Sequence, residues 1–92
     1  NMDHLDRFTF KTARERLASL LLELGDRFGK KHDDHVRVGL TLKREEVAEM
    51  AGMTVETAIR LLGVFRDEGV LTIDGRTITL LKPDRLSRIA ER

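Results

Sequence analysis

The segment TVETAIRLLGVFRDEGV, positions 54–70, carries the most specific chemistry in the chain. Val55, Glu56, Ile59, Arg60 and Gly63 recur at a spacing that gathers them on one side of a helix. Ala58, Leu61, Leu62 and Phe65 form the opposite, uniformly apolar side, which reads as the buried face. A buried face has no use for a glutamate and an arginine, and a solvated face has no use for a valine and an isoleucine. Base edges in a DNA major groove use all four. Glu56 can accept a hydrogen bond from cytosine N4, and Arg60 can donate two to guanine O6 and N7; a good base contact contributes about 1–3 kcal/mol of discrimination. Val55 and Ile59 can touch thymine methyl groups, and Gly63 leaves room for close approach. Thr54 and Thr57 can bond phosphate oxygens next to the N-terminal amides of the same helix. Lys43 and Arg44 are placed to touch DNA backbone on the opposite side, and Arg76 can do so from the tip of a later hairpin. The plainer reading is an exposed Glu56–Arg60 pair worth ~0.3–0.5 kcal/mol on a solvated helix. Exposed Val55 and Ile59 count against it.

The elements that must hold this face follow from local signals. A first helix is expected from about Thr12 to Phe28, opened by a Thr12/Glu15 capping box and striped by Ala13, Leu17, Leu20, Leu21, Leu24 and Phe28. Gly29 is expected to stop it in the left-handed conformation. KKHDDH, positions 30–35, reads as a polar loop, and VRVGL, positions 36–40, as a short strand. A second helix is expected from Arg44 to Ala51, with Val47, Ala48 and Met50 turned inward. Lys43 is a poor cap for it, although Glu45 and Glu46 suit the positive end of its dipole. Gly52 ends that helix and Thr54 caps the next, a turn of about three residues, which is the spacing of a helix-turn-helix. The third helix spans about Val55 to Glu68 and stops at Gly69. VLTIDGRTITL, positions 70–80, then places two alternating strands around Asp74-Gly75, a dipeptide that favours a type I′ hairpin turn. Arg76 is expected one residue past that turn. Pro83 opens a last short helix with Leu86, Ile89 and Ala90 inward. The order helix, strand, helix, helix, hairpin, helix is that of an α+β winged helix-turn-helix.

Composition bounds what this domain can do. At 92 residues it is a single small domain that buries only ~60–65% of its unfolded surface. No apolar run reaches the ~18–20 residues of a membrane span. NMDHLDRFTF at the start carries acids and no apolar core, so it is no secretory signal, and a cytoplasmic location is expected. Asn1 ahead of Met2 reads as an expression scar, and residues 1–11 as an extension leading into a domain over 12–92. The chain has no cysteine, which excludes disulfides and thiolate metal chemistry. His32, Asp33, Asp34 and His35 are metal-capable but adjacent, and adjacent side chains rarely converge on one ion, so they read as a solvated turn; no metal and no cofactor are expected. No glycine-rich phosphate loop and no nucleophile–base set is present, so the chain does not read as an enzyme. With 17 basic and 16 acidic residues the net charge is +1. Positions 43–68 carry four bases and six acids, and 69–92 five and three, so DNA affinity must come from placed contacts.

These stretches also resemble a family. LT at 40–41, GMTVETAIRLLGVFRDEGVL and IDGRTITL look like the C-terminal DNA-binding domain of the cyclic-AMP receptor / fumarate-nitrate regulator (Crp/Fnr) family of bacterial transcription factors. TARERLASLLLELGDRFG is similar to the family's helix just after its dimerisation helix. Val-Glu-Thr-x-x-Arg followed by Leu-Leu-Gly-x-Phe is nearest the fumarate-nitrate, oxygen-sensing branch. The resemblance implies that Glu56 and Arg60 read a TGA-type half-site core and that Thr54 and Thr57 touch phosphate. It implies double-stranded DNA as partner, a homodimeric full-length parent and contact with RNA polymerase. It also implies an N-terminal β-roll sensor and a long dimerisation helix, which 92 residues cannot hold, so the chain reads as an isolated effector domain or a shortened paralogue. Two positions depart from the pattern: Ile59 stands where the family has serine or glycine, and Lys43 where it has threonine.

The competing reading is a winged-helix module that binds protein, in which Val55 and Ile59 form an apolar contact and not a base-reading face. Salt dependence separates the two, because each phosphate contact removed takes about one unit from the slope of log K against log salt.

Overall fold

The computed structural model describes residues 11–39 and 41–91. The expected extension up to position 10, the scar at Asn1 and the strand end at Leu40 lie outside the described residues. The elements, in order, are α1 (Ala13–Phe28), β1 (Lys30–His32), β2 (His35–Gly39), α2 (Arg44–Ala51), α3 (Val55–Asp67), β3 (Leu71–Asp74), β4 (Thr77–Leu80) and α4 (Pro83–Ala90). This is a winged helix-turn-helix, as expected, with one strand more than the sequence suggested.

α1 is the central member. Its capping box forms: Thr12 Oγ1 accepts from the Glu15 amide at 3.1 Å, and the Glu15 carboxylate accepts from the Thr12 amide at 2.7 Å. Leu17, Ala18, Leu21 and Leu24 then point into the core, where α2, α3, α4 and the sheet meet them. The stripe does not reach Phe28, which is 64% exposed. Phe28 has the right angle but lies past the end of the core; periodicity gives a direction, not the length of what is packed there. Gly29 also differs from expectation. Its φ of −80° and ψ of 156° are ordinary extended backbone. A glycine suits this position for another reason, because a Cβ would collide with Val36 Cγ1.

The stretch at 30–35 is not a loop. β1 and β2 form a hairpin in register Lys30↔Arg37, Lys31↔Val36 and His32↔His35, with Asp33 in the turn at φ 54°. Nothing in KKH favours a strand; the pairing comes from β2, whose Val38 is buried and whose other edge joins the wing. The sheet order is β1-β2-β4-β3, all antiparallel, so the wing hairpin is backed by two further strands. β1 is exposed throughout and carries Lys30 and Lys31, which suits a sheet edge that must not recruit another strand.

In α2 the inward residues are Val47, Ala48 and Ala51, while Met50 is 55% exposed, contrary to expectation. An eight-residue helix offers two turns, and i+3 and i+4 from Val47 are equally open choices until the packing selects Ala51. The core is completed by Leu61, Leu62 and Phe65 of α3, Val70, Leu71, Ile78 and Leu80 around the wing, and Leu86 and Ala90 of α4, with Ile89 partly buried beside them.

Candidate nucleic-acid interface

α2 and α3 are joined by Gly52, Met53 and Thr54. Gly52 has φ 74° and ψ 44°, the left-handed region where a side chain is strained, so the glycine is required by the turn itself. The Met53 amide closes the end of α2 by donating to the Ala48 carbonyl at 2.9 Å. Thr54 then opens α3, its hydroxyl accepting from the Thr57 amide at 3.2 Å. The same hydroxyl donates to Thr57 Oγ1 at 2.9 Å. With Thr57 Oγ1 accepting, its own proton stays available to an outside acceptor such as a phosphate oxygen.

α3 divides as its spacing requires. Ala58, Leu61, Leu62 and Phe65 are buried. Glu56, Ile59 and Arg60 are exposed, with Ile59 at 53%, and Val55, Thr57 and Gly63 are intermediate. The Glu56–Arg60 pair of the plainer reading does not form: neither side chain enters a hydrogen bond or ion pair among the described residues. The carboxylate, the guanidinium and the isoleucine thus lie side by side on the outward face, open to solvent. Around Gly63 a Cβ would find only Arg66 Nη2, at 3.6 Å, so the fold itself does not demand glycine there.

The wing turn is displaced by one residue from expectation. Asp74 pairs with Thr77, so the two loop residues are Gly75 and Arg76. Positive φ occurs at Gly75 (61°) but at neither Asp74 nor Arg76, which fits a type II′ turn with glycine first and not type I′. The shift matters for the surface, because Arg76 now stands in the turn, exposed at the wing tip. Arg44 donates from Nη2 to the Gly75 carbonyl at 3.2 Å and so ties the start of α2 to the wing turn. Lys43 is exposed in front of it. Its side chain has no acceptor and cannot complete a capping box; only the reverse bond exists, from the Lys43 amide to the Glu46 carboxylate at 3.0 Å.

Sequence reasoning missed the groups that hold α3 in place. Arg14 donates to the Glu68 carboxylate with both terminal nitrogens, at 3.1 and 3.3 Å, and lies 5.2 Å over the Phe65 ring. Arg85 approaches the same carboxylate at 3.7 Å. Arg16 donates to the carbonyls of Ala51, Gly52 and Lys11. Their only sequence signal is an arginine flanking an apolar stripe, which more often lies in solvent. His32 and His35 face each other across the first hairpin, and no group of three metal-capable side chains converges among the described residues. No helix among them is long and apolar enough to cross a membrane.

Comparison with known proteins agrees with this geometry. Residues 15–89 match the model of the Crp-like helix-turn-helix domain. The chain is 38% identical over 80 residues to the fumarate and nitrate reduction regulatory protein of Escherichia coli K12, covering 87% of this chain and 32% of that protein. It is equally similar to the protein of the same name from Salmonella typhimurium. The chain thus spans about a third of the length of these curated relatives. Among solved structures, a double mutant of CooA from Carboxydothermus hydrogenoformans superposes with a TM-score of 0.82 at 32% identity, covering 94% of this chain and 40% of that one. A Crp/Fnr-family transcriptional regulator from Thermus thermophilus gives a TM-score of 0.82 at 25% identity, over 99% of this chain and 46% of that one.

Proposed function

The chain belongs to the Crp-like helix-turn-helix family, and from that premise we propose that it is the DNA-binding effector domain of a cytoplasmic bacterial transcription regulator, reading a TGA-type half-site core in the major groove with α3. One observation carries the reading: Glu56, Arg60 and Ile59 stand together on the outward face of α3, and the two charged groups have no partner among the described residues. In a groove, Arg60 donates to guanine O6 and N7, Glu56 accepts from cytosine N4, and Ile59 and Val55 meet thymine methyl groups. Thr54 and Thr57 bind phosphate at the start of α3, with Lys43 before α2 and Arg76 at the wing tip as further backbone contacts. Arg44 acts at one remove, by fixing the wing that carries Arg76. The domain needs no cofactor for this and catalyses nothing. Its full-length parent is a homodimer that places two such helices in successive half-sites and presents the complex to RNA polymerase.

The test is binding to a duplex with a TTGAT–N4–ATCAA palindrome, beside a scrambled duplex, across a salt series. Selective binding that weakens steeply with salt, and that Arg60→Ala abolishes, is the expected result. Equal affinity for both duplexes with little salt dependence would replace this reading by the protein-interaction one.

A further inference from the structure

α1 holds α3 at its far end and the turn that leads into α3 at its near end. At the far end the grip is Arg14 on Glu68, two parallel N–H···O bonds at 3.1 and 3.3 Å. At the near end it is Arg16, whose Nε donates to the Ala51 carbonyl at 2.9 Å and whose Nη2 donates to the Gly52 carbonyl at 3.1 Å. Its third donor, Nη1, goes to the Lys11 carbonyl at 2.6 Å, and Lys11 in turn donates through Nζ to the Ala90 carbonyl at 2.8 Å. The last carbonyls of a helix have no intrahelical partner and carry the negative end of its dipole, so a guanidinium is the group that satisfies two of them and their charge at once. Those carbonyls belong to the residue that ends α2 and to the glycine that makes the turn. α3 begins three residues later.

We propose that Arg16 is a positioning residue for sequence reading: it fixes the helix-turn-helix turn to α1 and to the Lys11 carbonyl just before it, and thereby sets where α3 meets the bases. The inference rests on the reading of α3 as the base-contacting helix, but the hold on the turn is measurable without DNA. A planar fork with three directed donors is required, because the three carbonyls come from two separate segments of the chain; an ammonium keeps the charge but cannot match this geometry.

The experiment uses the 92-residue chain with Arg16→Ala and Arg16→Lys. Thermal unfolding establishes that both variants fold. Amide hydrogen exchange of Gly52 and Met53, whose amides donate to the Glu49 and Ala48 carbonyls, is expected without DNA to quicken by about tenfold in both, the fold-change of roughly one net hydrogen bond. Affinity for the palindromic duplex is expected to fall about tenfold in both, the fold-change that deleting a single base interaction produces, with affinity for a scrambled duplex unchanged. Full recovery by Arg16→Lys, or equal losses on the two duplexes, would make Arg16 a plain positive charge and overturn the proposal. So would unchanged exchange at the turn, or a lowered melting temperature with specific affinity intact. Should the parent chain fail to distinguish the two duplexes, the DNA reading falls, and the exchange result alone decides whether Arg16 holds the turn.

Discussion

The face of α3 joins two kinds of recognition within two helical turns. In the proposed reading Glu56 and Arg60 supply directional hydrogen bonds, and Ile59, more than half exposed, supplies an apolar contact. If Ile59 meets a thymine, its partner is the C5 methyl group alone. Replacing that thymine by uracil removes the methyl and leaves every hydrogen-bonding group in place. Affinity of the chain for the uracil duplex is expected to drop by about 1 kcal/mol, roughly the value of one buried methyl or methylene. In Ile59→Ser, which removes the apolar side chain, thymine and uracil should bind alike. Titration of both duplexes with both proteins checks this, and an equal drop in the two proteins would place the methyl contact elsewhere. This face could be read from residue types and spacing because it is contained in one helix. Arg14 and Arg16 could not, since their partners, Glu68 and the carbonyls of Ala51 and Gly52, lie 54, 35 and 36 positions away. No local pattern encodes where a long side chain lands.

At the scale of elements, legibility follows the same division. The three helices with strong stripes, the Gly52 turn and the two wing strands are specified by neighbouring residues and are where the sequence puts them. β1 is not, because its charged residues pair only on account of β2, which itself needs β4. The wing turn shifted by one residue because Asp74 is used as a strand residue opposite Thr77, leaving Gly75 to supply the positive φ. α2 carries an unused opportunity at its start. Glu46 already accepts from the Lys43 amide, yet lysine offers nothing to the orphan amides of the first turn. Lys43→Thr is expected to raise stability by about 1 kcal/mol, observable as a higher melting temperature in denaturation. The same change removes a proposed phosphate contact, so the slope of log K against log salt should fall by about one. A gain in stability with an undiminished slope would relieve Lys43 of any role on DNA.

The whole molecule has a net charge of only +1, and among the described residues α3 alone is proposed to read bases. Neither bulk charge nor a second half-site assists it, so binding rests on the few placed groups. A single half-site is expected to hold this chain only weakly at physiological salt, and a palindrome should gain mainly where two copies occupy it together. Sedimentation of the chain with half-site and palindromic duplexes measures this; nanomolar binding of one copy to one half-site would contradict it. Within the molecule, α1 is the frame: its core face supports α3 from behind, Arg14 holds the far end of α3 and Arg16 holds the turn before it.

That the outward face of α3 reads bases is tested most directly by pairing a protein change with a single-atom change in DNA. Replacing guanine of the core by 7-deazaguanine deletes the N7 acceptor and preserves pairing. Binding of the parent chain and of Arg60→Ala should be measured on both duplexes. If Arg60 donates to that guanine, the deaza duplex costs the parent chain about 1–3 kcal/mol and costs Arg60→Ala nothing, so the two changes are not additive. Equal costs in both proteins, or none in either, would mean that Arg60 does not read this base and that the face is turned toward something other than the groove.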